Sequence, residues 1–137
     1  DTWKSRGLGD VYKRQYRPWF VTKMFWEGTP ENLKHFVANP ENGSSHNKGC
    51  AIDIGLYDIK TGESIVMISG YDEFTERAYP NYMGGSKKQR DIRDMLIQVM
   101  ERNDFTVYEY EWWHFNYNGC DSGIMNYSFE ELDSISS

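Results

Sequence analysis

Helical and strand periods alternate along this sequence of 137 residues, which favours an α+β fold. Residues 86–102 repeat apolar side chains at helical spacing, and residues 51–57 alternate as a half-buried strand does. Residues 105–117 are rich in the aromatic and β-branched residues that strands prefer. The length suits one domain that buries its core without cross-links.

Near the amino end, apolar side chains in residues 19–26 predict a helix that begins after Pro18. Thr29 is expected to cap a second short helix that has Pro30 at its first position. Residues 39–43 have the Asn, Pro and Gly composition of a turn. This turn separates the two helices from the first predicted strand.

On the strand at residues 51–57, the isoleucines and Leu56 share one face, so Asp53 projects from the other. Residues 58–63 predict a hairpin loop, and residues 64–68 predict the returning strand. Residues 69–85 follow no stable period. Stretches of this length in compact domains are often functional loops.

Ser86 has the position of an N-cap for the next helix, which Asn103 and Asp104 end. Residues 105–117 are predicted as one strand. The basic run at residues 87–90 is interpreted as the solvated start of the helix, because a net charge of −6 disfavours a nucleic-acid surface. No run approaches the roughly 20 apolar residues of a membrane-spanning helix.

The sequence has two cysteines, Cys50 and Cys120, which make no disulfide framework. Cys50 lies between Gly49 and Ala51, where a small buried side chain is the favoured interpretation. The alternative is that Cys50 is a fourth, sulfur ligand to a metal ion.

Residues 1–15 have no hydrophobic period and no signal-peptide pattern. Residues 10–15, DVYKRQ, resemble the in-frame translation of a transposase adapter used in shotgun sequencing libraries. We therefore expect residues 1–15 to be a non-native, adapter-derived segment, with an ordinary divergent terminus as the alternative. The predicted organisation is this segment, a domain at residues 16–120 and a tail at residues 121–137.

Two short stretches supply the side chains that a catalytic zinc site needs. SSHNKGCAIDI contains His46 and Asp53, and EWWHF contains Glu111 and His114. Catalytic zinc usually has three protein ligands and keeps one position for water, whose proton a nearby carboxylate takes. His46, Asp53 and His114 are therefore the candidate ligands. Glu111 is the candidate base, although without the adjacent Trp-His it would be interpreted as a surface carboxylate.

Residues three apart on a regular strand point to opposite faces, so Glu111 and His114 can meet only if the strand bends. We predict a bulge near Trp112 and Trp113. One of these tryptophans is expected in the core and the other at the wall of a substrate pocket. The third histidine, His35, lies in a polar stretch and is expected at the surface.

The two stretches match S-x-H-x-x-G-x-A-x-D and E-x-W-H, and so resemble the paired signatures of the zinc D-Ala-D-Ala peptidases. With the upstream tripeptide at residues 16–18, YRP, the sequence is most similar to the D-alanyl-D-alanine dipeptidases, including the vancomycin-resistance type. The resemblance implies a single α+β domain of the Hedgehog and D-Ala-D-Ala peptidase type. Helices would pack on a small antiparallel sheet carrying one zinc ion, and the amino end would be truncated.

The resemblance also implies hydrolysis of the D-alanyl-D-alanine dipeptide to D-alanine. Zinc would polarise the scissile carbonyl and lower the pKa of a bound water to about 7, and Glu111 would take its proton. Arg17 would stabilise the oxyanion. Ser44 and Asp72 would hold the substrate ammonium, and a buried carboxylate there would explain a preference for dipeptides. For Asp72 the alternative is a solvated loop acid.

Two other functions are compatible with these residues. A zinc D,D-carboxypeptidase or peptidoglycan peptidase would be favoured by a solvent-facing Asp72 and an open cleft. The other is a non-catalytic zinc module or an inactive fragment. The presence of Glu111 and Arg17 argues against it, because a structural zinc site needs neither a base nor an oxyanion donor. The expected partner is a small dipeptide and not nucleic acid. Oligomeric state stays open, as does a role in antibiotic resistance, D-alanine nutrition or wall turnover. Localisation is expected to be cytoplasmic, or in the cell envelope or periplasm if a signal has been lost.

Overall fold

The structure, a computed structural model, describes residues 8–136. Its helices and strands are β1 (Leu8–Arg14), α1 (Trp19–Gly28), β2 (Ala51–Asp58), α2 (Lys87–Arg102), β3 (Phe105–Tyr108), β4 (Glu111–Tyr117) and α3 (Phe129–Ser136). Short 3-10 helices lie at Glu31–Phe36, Ser45–Lys48 and Glu76–Ala78. This combination confirms the predicted α+β class. Within residues 8–136, no helix has both the length and the apolar character that crossing a bilayer requires.

The four strands form one sheet in the order β1-β2-β4-β3. β1 pairs antiparallel with β2, and β3 pairs antiparallel with β4. β2 and β4 are therefore neighbours in the middle of the sheet. This order brings the strand that carries Asp53 next to the strand that carries His114.

β1 lies in the segment for which no element is predicted, because residues 1–15 are set aside as non-native. Its backbone pairs with β2 from Leu8 opposite Asp58 to Arg14 opposite Asp53. The origin of residues 1–15 stays a prediction.

The described residues fall into two compact units. The first contains residues 8–14 and Ile52–Gly119, and so includes the paired strands and α2. Its core is built from β2, α2, β4 and the segment at residues 59–86 between β2 and α2, called the long loop below. The buried side chains are Ile54, Leu56, Ile68, Ala78, Met95, Leu96, Val99, Met100, Trp112, Trp113 and Phe115. Both tryptophans belong to this core, whereas one of them was expected at the wall of a substrate pocket.

α2 begins as predicted. The Ser86 hydroxyl accepts a hydrogen bond from the Gln89 backbone N–H at 3.1 Å, and the Ser86 N–H donates to the Gln89 side chain at 3.0 Å. This reciprocal pair is a capping box, which satisfies two donors that the helix itself leaves unpaired. The helix ends before Asn103, as expected. Residues 87 and 88 are exposed, in agreement with a solvated helix start.

Residues 105–117 form a hairpin and not the single strand that was predicted. β3 and β4 are joined by a turn at residues 109–110, and both strands contact α2. Folding back lets both halves pair and pack on the same helix. The returning strand predicted at residues 64–68 is also wrong, since only an isolated bridge between Tyr57 and Ser64 forms.

The hairpin contains the predicted distortion. Val107 lies opposite Phe115, but the next residue, Tyr108, lies opposite Glu111. Residues 112–114 of β4 therefore have no pairing partners on β3, since Val107 and Tyr108 are adjacent. This excess of residues on one strand is a bulge on β4. The bulge near the two tryptophans is confirmed.

The second unit contains Gln15–Ala51 and residues 120–136. α1 lies where predicted, but it leaves Phe20 and Met24 exposed. Thr29 does not cap the following helix, because its hydroxyl donates to the Phe25 carbonyl at 2.6 Å and so closes α1. α3 was not predicted, since its residues were assigned to a tail.

A disulfide joins Cys50 to Cys120 in the second unit, with the two Cα atoms 5.8 Å apart. Cys50 is buried, as predicted, but it is not a free thiol, and the alternative of a sulfur ligand is wrong. Cys120 lies 70 residues further along the chain, so local sequence patterns do not indicate this pairing.

Replacing both cysteines, as in Cys50→Ala with Cys120→Ala, should lower the free energy of unfolding. A cross-link across about 70 residues stabilises a fold by up to about 4 kcal/mol, because it restricts the unfolded chain. Denaturant unfolding with and without reductant measures this effect. Reductant should destabilise the parent chain and leave the double variant unchanged, whereas equal stability of the two oxidised proteins would contradict the disulfide.

Candidate active site

Three of the predicted site residues meet in the first unit. Asp53 projects from β2 and His114 from β4, and both side chains are buried. The Nδ1 atom of His114 lies 3.4 Å from Oδ1 of Asp53 and 3.6 Å from Oε2 of Glu111. One imidazole nitrogen therefore faces two carboxylates.

The bulge on β4 makes this arrangement possible. On a regular strand, Glu111 and His114 would project to opposite faces. The extra residues in the bulge turn both side chains to the same side, where their polar atoms come within 3.6 Å. Trp112 and Trp113, between them, are buried in the core and hold the distorted backbone in place.

The donor set fits a zinc ion. An imidazole nitrogen and a carboxylate oxygen are both common zinc ligands, and two ligands of one tetrahedral zinc lie roughly 3.3 Å apart. The nitrogen of His114 and the oxygen of Asp53 are 3.4 Å apart, which is longer than an ordinary N–H···O hydrogen bond. The three candidate ligands, His46, Asp53 and His114, are all buried.

The charge balance around His114 favours the protonated imidazole in the metal-free protein. Burial opposes the charged form, but the close, negatively charged carboxylate of Asp53 outweighs it, and the charge of Glu111 and the hydrogen bond with Asn116 add to the effect. The pKa of His114 is therefore raised above its usual value. A cation at this place is stabilised by the two carboxylates, whether it is a proton or a metal ion.

The other nitrogen of His114 has a separate partner. Its Nε2 lies 2.9 Å from Oδ1 of Asn116, the residue two positions further along β4. When Nε2 carries the proton, it donates to this amide oxygen, and Nδ1 presents its lone pair towards Asp53 and Glu111.

Two tyrosines surround the cluster. The ring of Tyr108 lies 5.3 Å from the ring of His114, between centroids. Burial and the charge of Glu111 raise the pKa of Tyr108 to about 12. Tyr71 packs on both core tryptophans, and burial together with the charge of Asp53 raises its pKa. Both hydroxyls therefore stay protonated at neutral pH and can act as hydrogen-bond donors.

His46 lies in the second unit, in the 3-10 helix Ser45–Lys48. The Ser44 hydroxyl accepts a hydrogen bond from the His46 N–H at 3.2 Å, and Asn47 accepts one from the Ser44 N–H at 2.8 Å. Gly49 ends the turn with φ of 67°, a left-handed conformation that favours glycine. Gly49 therefore allows the turn that carries His46 to end in this conformation.

The ring of His46 is oriented by a backbone group. Its Nδ1 lies 2.7 Å from the carbonyl oxygen of Gln15, and only 2% of the residue is exposed. Because a carbonyl can only accept, Nδ1 carries the proton and Nε2 carries the lone pair that a metal takes. This is the arrangement expected of a metal-ligating histidine.

Arg17 is also in the second unit and is connected to the same turn. Its N–H donates to the His46 carbonyl at 3.0 Å, and its own carbonyl accepts from the Asn47 side chain at 2.7 Å. The guanidinium lies 5.1 Å from the centroid of the Phe25 ring. The backbone of Arg17 is thus held to the turn that carries His46.

Asp72 lies on the long loop with φ of 54°, and its side chain is exposed. It is therefore not a buried carboxylate, and its position agrees with the alternative of a solvated loop acid. Its charge contributes to the raised pKa of Tyr71. His35 is exposed, as predicted, and packs on Phe36.

Sequence reasoning did not identify Asn116, Tyr108 or Tyr71. Asn116 could have been found, because residues two apart on a strand share a face and His114 was already a candidate. Tyr108 could not, since its place beside His114 depends on the turn that divides the hairpin. Tyr71 depends on the path of a loop that has no period.

Comparison with known proteins agrees with this geometry. Residues 7–134 match the family described as D-ala-D-ala dipeptidase. The chain is 38% identical over 128 residues to the D-alanyl-D-alanine dipeptidase of Enterococcus faecalis, with 80% of this chain and 62% of the relative covered. It is 32% identical over 130 residues to the enzyme of the same name from Enterococcus faecium, with 81% and 63% covered.

A third relative, the D-alanyl-D-alanine dipeptidase of Escherichia coli, is 32% identical over 109 residues, with 80% of this chain and 55% of the relative covered. The chain thus spans less than two thirds of the length of the relatives it matches. Because the family match extends over most of the chain, this protein belongs to the D-Ala-D-Ala dipeptidase family of metallopeptidases.

Proposed function

We propose that this chain hydrolyses D-alanyl-D-alanine to D-alanine, with one zinc ion held by His46, Asp53 and His114. The observation that carries the proposal is the buried cluster in which one nitrogen of His114 lies 3.4 Å from Asp53 and 3.6 Å from Glu111. It combines two proposed ligands, His114 and Asp53, with a second carboxylate, Glu111, that can serve as a base. The orientation of His46, with its lone pair on Nε2, supports its role as the third ligand.

Zinc, when bound, would polarise the scissile carbonyl and make a nearby water acidic enough to react near neutral pH. Glu111 is the base in this proposal, since Oε2 can take a proton from that water and pass it to the departing amine. Its side chain is 13% exposed, so it is largely shielded from bulk water but still reachable. Retention of such a base argues against a purely structural zinc module.

Arg17 is proposed to stabilise the negative oxygen that develops on the substrate carbonyl. A guanidinium stays charged at any working pH and offers several donors. Its backbone hydrogen bonds to the His46 turn would limit the movement of this donor. Pre-organised donors of this kind are worth about 10²–10³ in rate.

Ser44 and Asp72 are proposed to hold the substrate ammonium. The Ser44 oxygen already accepts hydrogen bonds from the backbone N–H groups of His46 and Asn47, so the support for Ser44 is its place at the start of the turn that carries His46. Asp72 is exposed, so its charge is screened by water and discriminates less than a buried carboxylate would.

The exposure of Asp72 favours a second candidate function, that of a zinc D,D-carboxypeptidase or peptidoglycan peptidase. Such an enzyme acts on longer stems and does not need to recognise an ammonium beside the scissile bond. The names of the relatives support the dipeptidase.

Replacing Glu111 with Gln should lower D-alanine release by about 10²–10⁴-fold, because the base is lost. Zinc affinity should change little, since Glu111 is not one of the proposed ligands. Glu109→Gln is a matched control, because Glu109 lies two residues away and is exposed. A Glu111→Gln protein with undiminished turnover would contradict the assigned base.

N-acetylation of the dipeptide distinguishes the two candidate functions. The acetyl group removes the ammonium charge, so a dipeptidase should cleave the free dipeptide and leave the acetylated one intact. Rates of D-alanine release from both substrates provide the measurement. Equal or faster cleavage of the acetylated compound would replace the dipeptidase by the carboxypeptidase.

Zinc affinity should depend on pH with a defined sign. The raised pKa of His114 means that its imidazole stays protonated to a higher pH than usual, and zinc must displace that proton. As the pH falls below this pKa, the zinc affinity should fall by up to about tenfold per pH unit for this one proton. Competition with a chromophoric chelator between about pH 6 and about pH 8 measures it. An affinity that rises as the pH falls would contradict the assignment.

A further inference from the structure

We propose that Asn116 is the positioning residue of His114: its side-chain oxygen holds the imidazole proton on Nε2 and so presents Nδ1 to the metal. The inference rests on the proposed zinc site and adds a residue to it. Asn116 itself does not contact the metal or the substrate in this proposal. It acts through the ring of His114.

The contacts of the imidazole support this role. Nε2 of His114 is 2.9 Å from Oδ1 of Asn116, which is an ordinary hydrogen-bond length. Nδ1, at the other side of the ring, is the atom that faces Asp53 and Glu111. If the proton moved to Nδ1, it would occupy the place that a metal ion needs.

The strand makes Asn116 a rigid support. It follows His114 by two residues on β4, so both side chains project from the same face. The partner strand continues beside it, with Thr106 opposite Asn116. Asn116 is half-buried, which protects its hydrogen bond from competition by water. The amide therefore stays next to the ring without a contribution from the long loop.

A neutral amide suits this position better than a carboxylate. Metal-ligating histidines usually donate their second N–H to a carbonyl or carboxylate, which fixes the ring and raises its basicity. Asp53 and Glu111 already provide two negative charges beside Nδ1. Asn116 accepts the hydrogen bond from His114 without adding a third negative charge.

The test compares Asn116→Leu, which removes the acceptor, with Asn116→Asp, which keeps one. Asn81→Leu is the matched control, since Asn81 is an exposed asparagine on the long loop. Zinc affinity is measured by competition with a chromophoric chelator. We expect Asn116→Leu to lose about 10–100-fold and Asn116→Asp to stay within about threefold of the parent. The control should be unchanged, as should the circular dichroism of each metal-free variant.

Parent-like zinc binding by Asn116→Leu, or an equal loss in both Asn116 variants, would overturn the proposal. If Asn116→Leu does not fold, the nitrogen NMR spectrum of the zinc-loaded parent decides, because it shows which nitrogen of His114 carries the proton. A proton on Nε2 supports the role, and a proton on Nδ1 overturns it. A parent chain that binds no zinc overturns the proposed zinc site as well, whereas zinc binding without the variant effect overturns Asn116 alone.

Discussion

The contact between His114 and Asp53 is the interaction on which the site depends. Burying an imidazole and a carboxylate is costly unless each has a partner of opposite charge or a shared cation. Here the two groups lie 3.4 Å apart on neighbouring strands, and Glu111 lies 3.6 Å from the same nitrogen. The fold thus holds together three groups that favour a cation. The raised pKa of His114 is the expression of that preference in the metal-free protein.

Two features of the first unit produce this contact. The strand order places β2 beside β4, so Asp53 and His114 can face each other. The bulge on β4 then brings Glu111 to the same side, while the two tryptophans pack in the core. In the second unit, the His46 turn depends on its own local bonds, from the Ser44 cap to the left-handed Gly49. Each stretch of sequence therefore shapes its backbone before any metal binds.

Much of the site could be predicted because its chemistry is local. The alternation at residues 51–57 was sufficient to orient Asp53, and the three-residue spacing of Glu111 and His114 required the bulge that is found. The disulfide, the hairpin turn and the exposure of Asp72 could not be predicted in the same way. Cysteine pairing over 70 residues and the path of a long loop depend on tertiary packing, which has no periodic signal. Asn116 could have been predicted, since the two-residue period of a strand places it on the same face as His114.

The most direct measurement is the zinc X-ray absorption spectrum of the loaded chain, because it reports the ligand atoms themselves. The proposed His46, Asp53 and His114 set predicts a single shell of nitrogen and oxygen at about 2.0–2.2 Å, with scattering from two imidazoles. A sulfur shell at about 2.3 Å would implicate Cys50 or Cys120 and contradict the account. So would a shell of oxygens without imidazole, which is typical of adventitious metal on surface carboxylates.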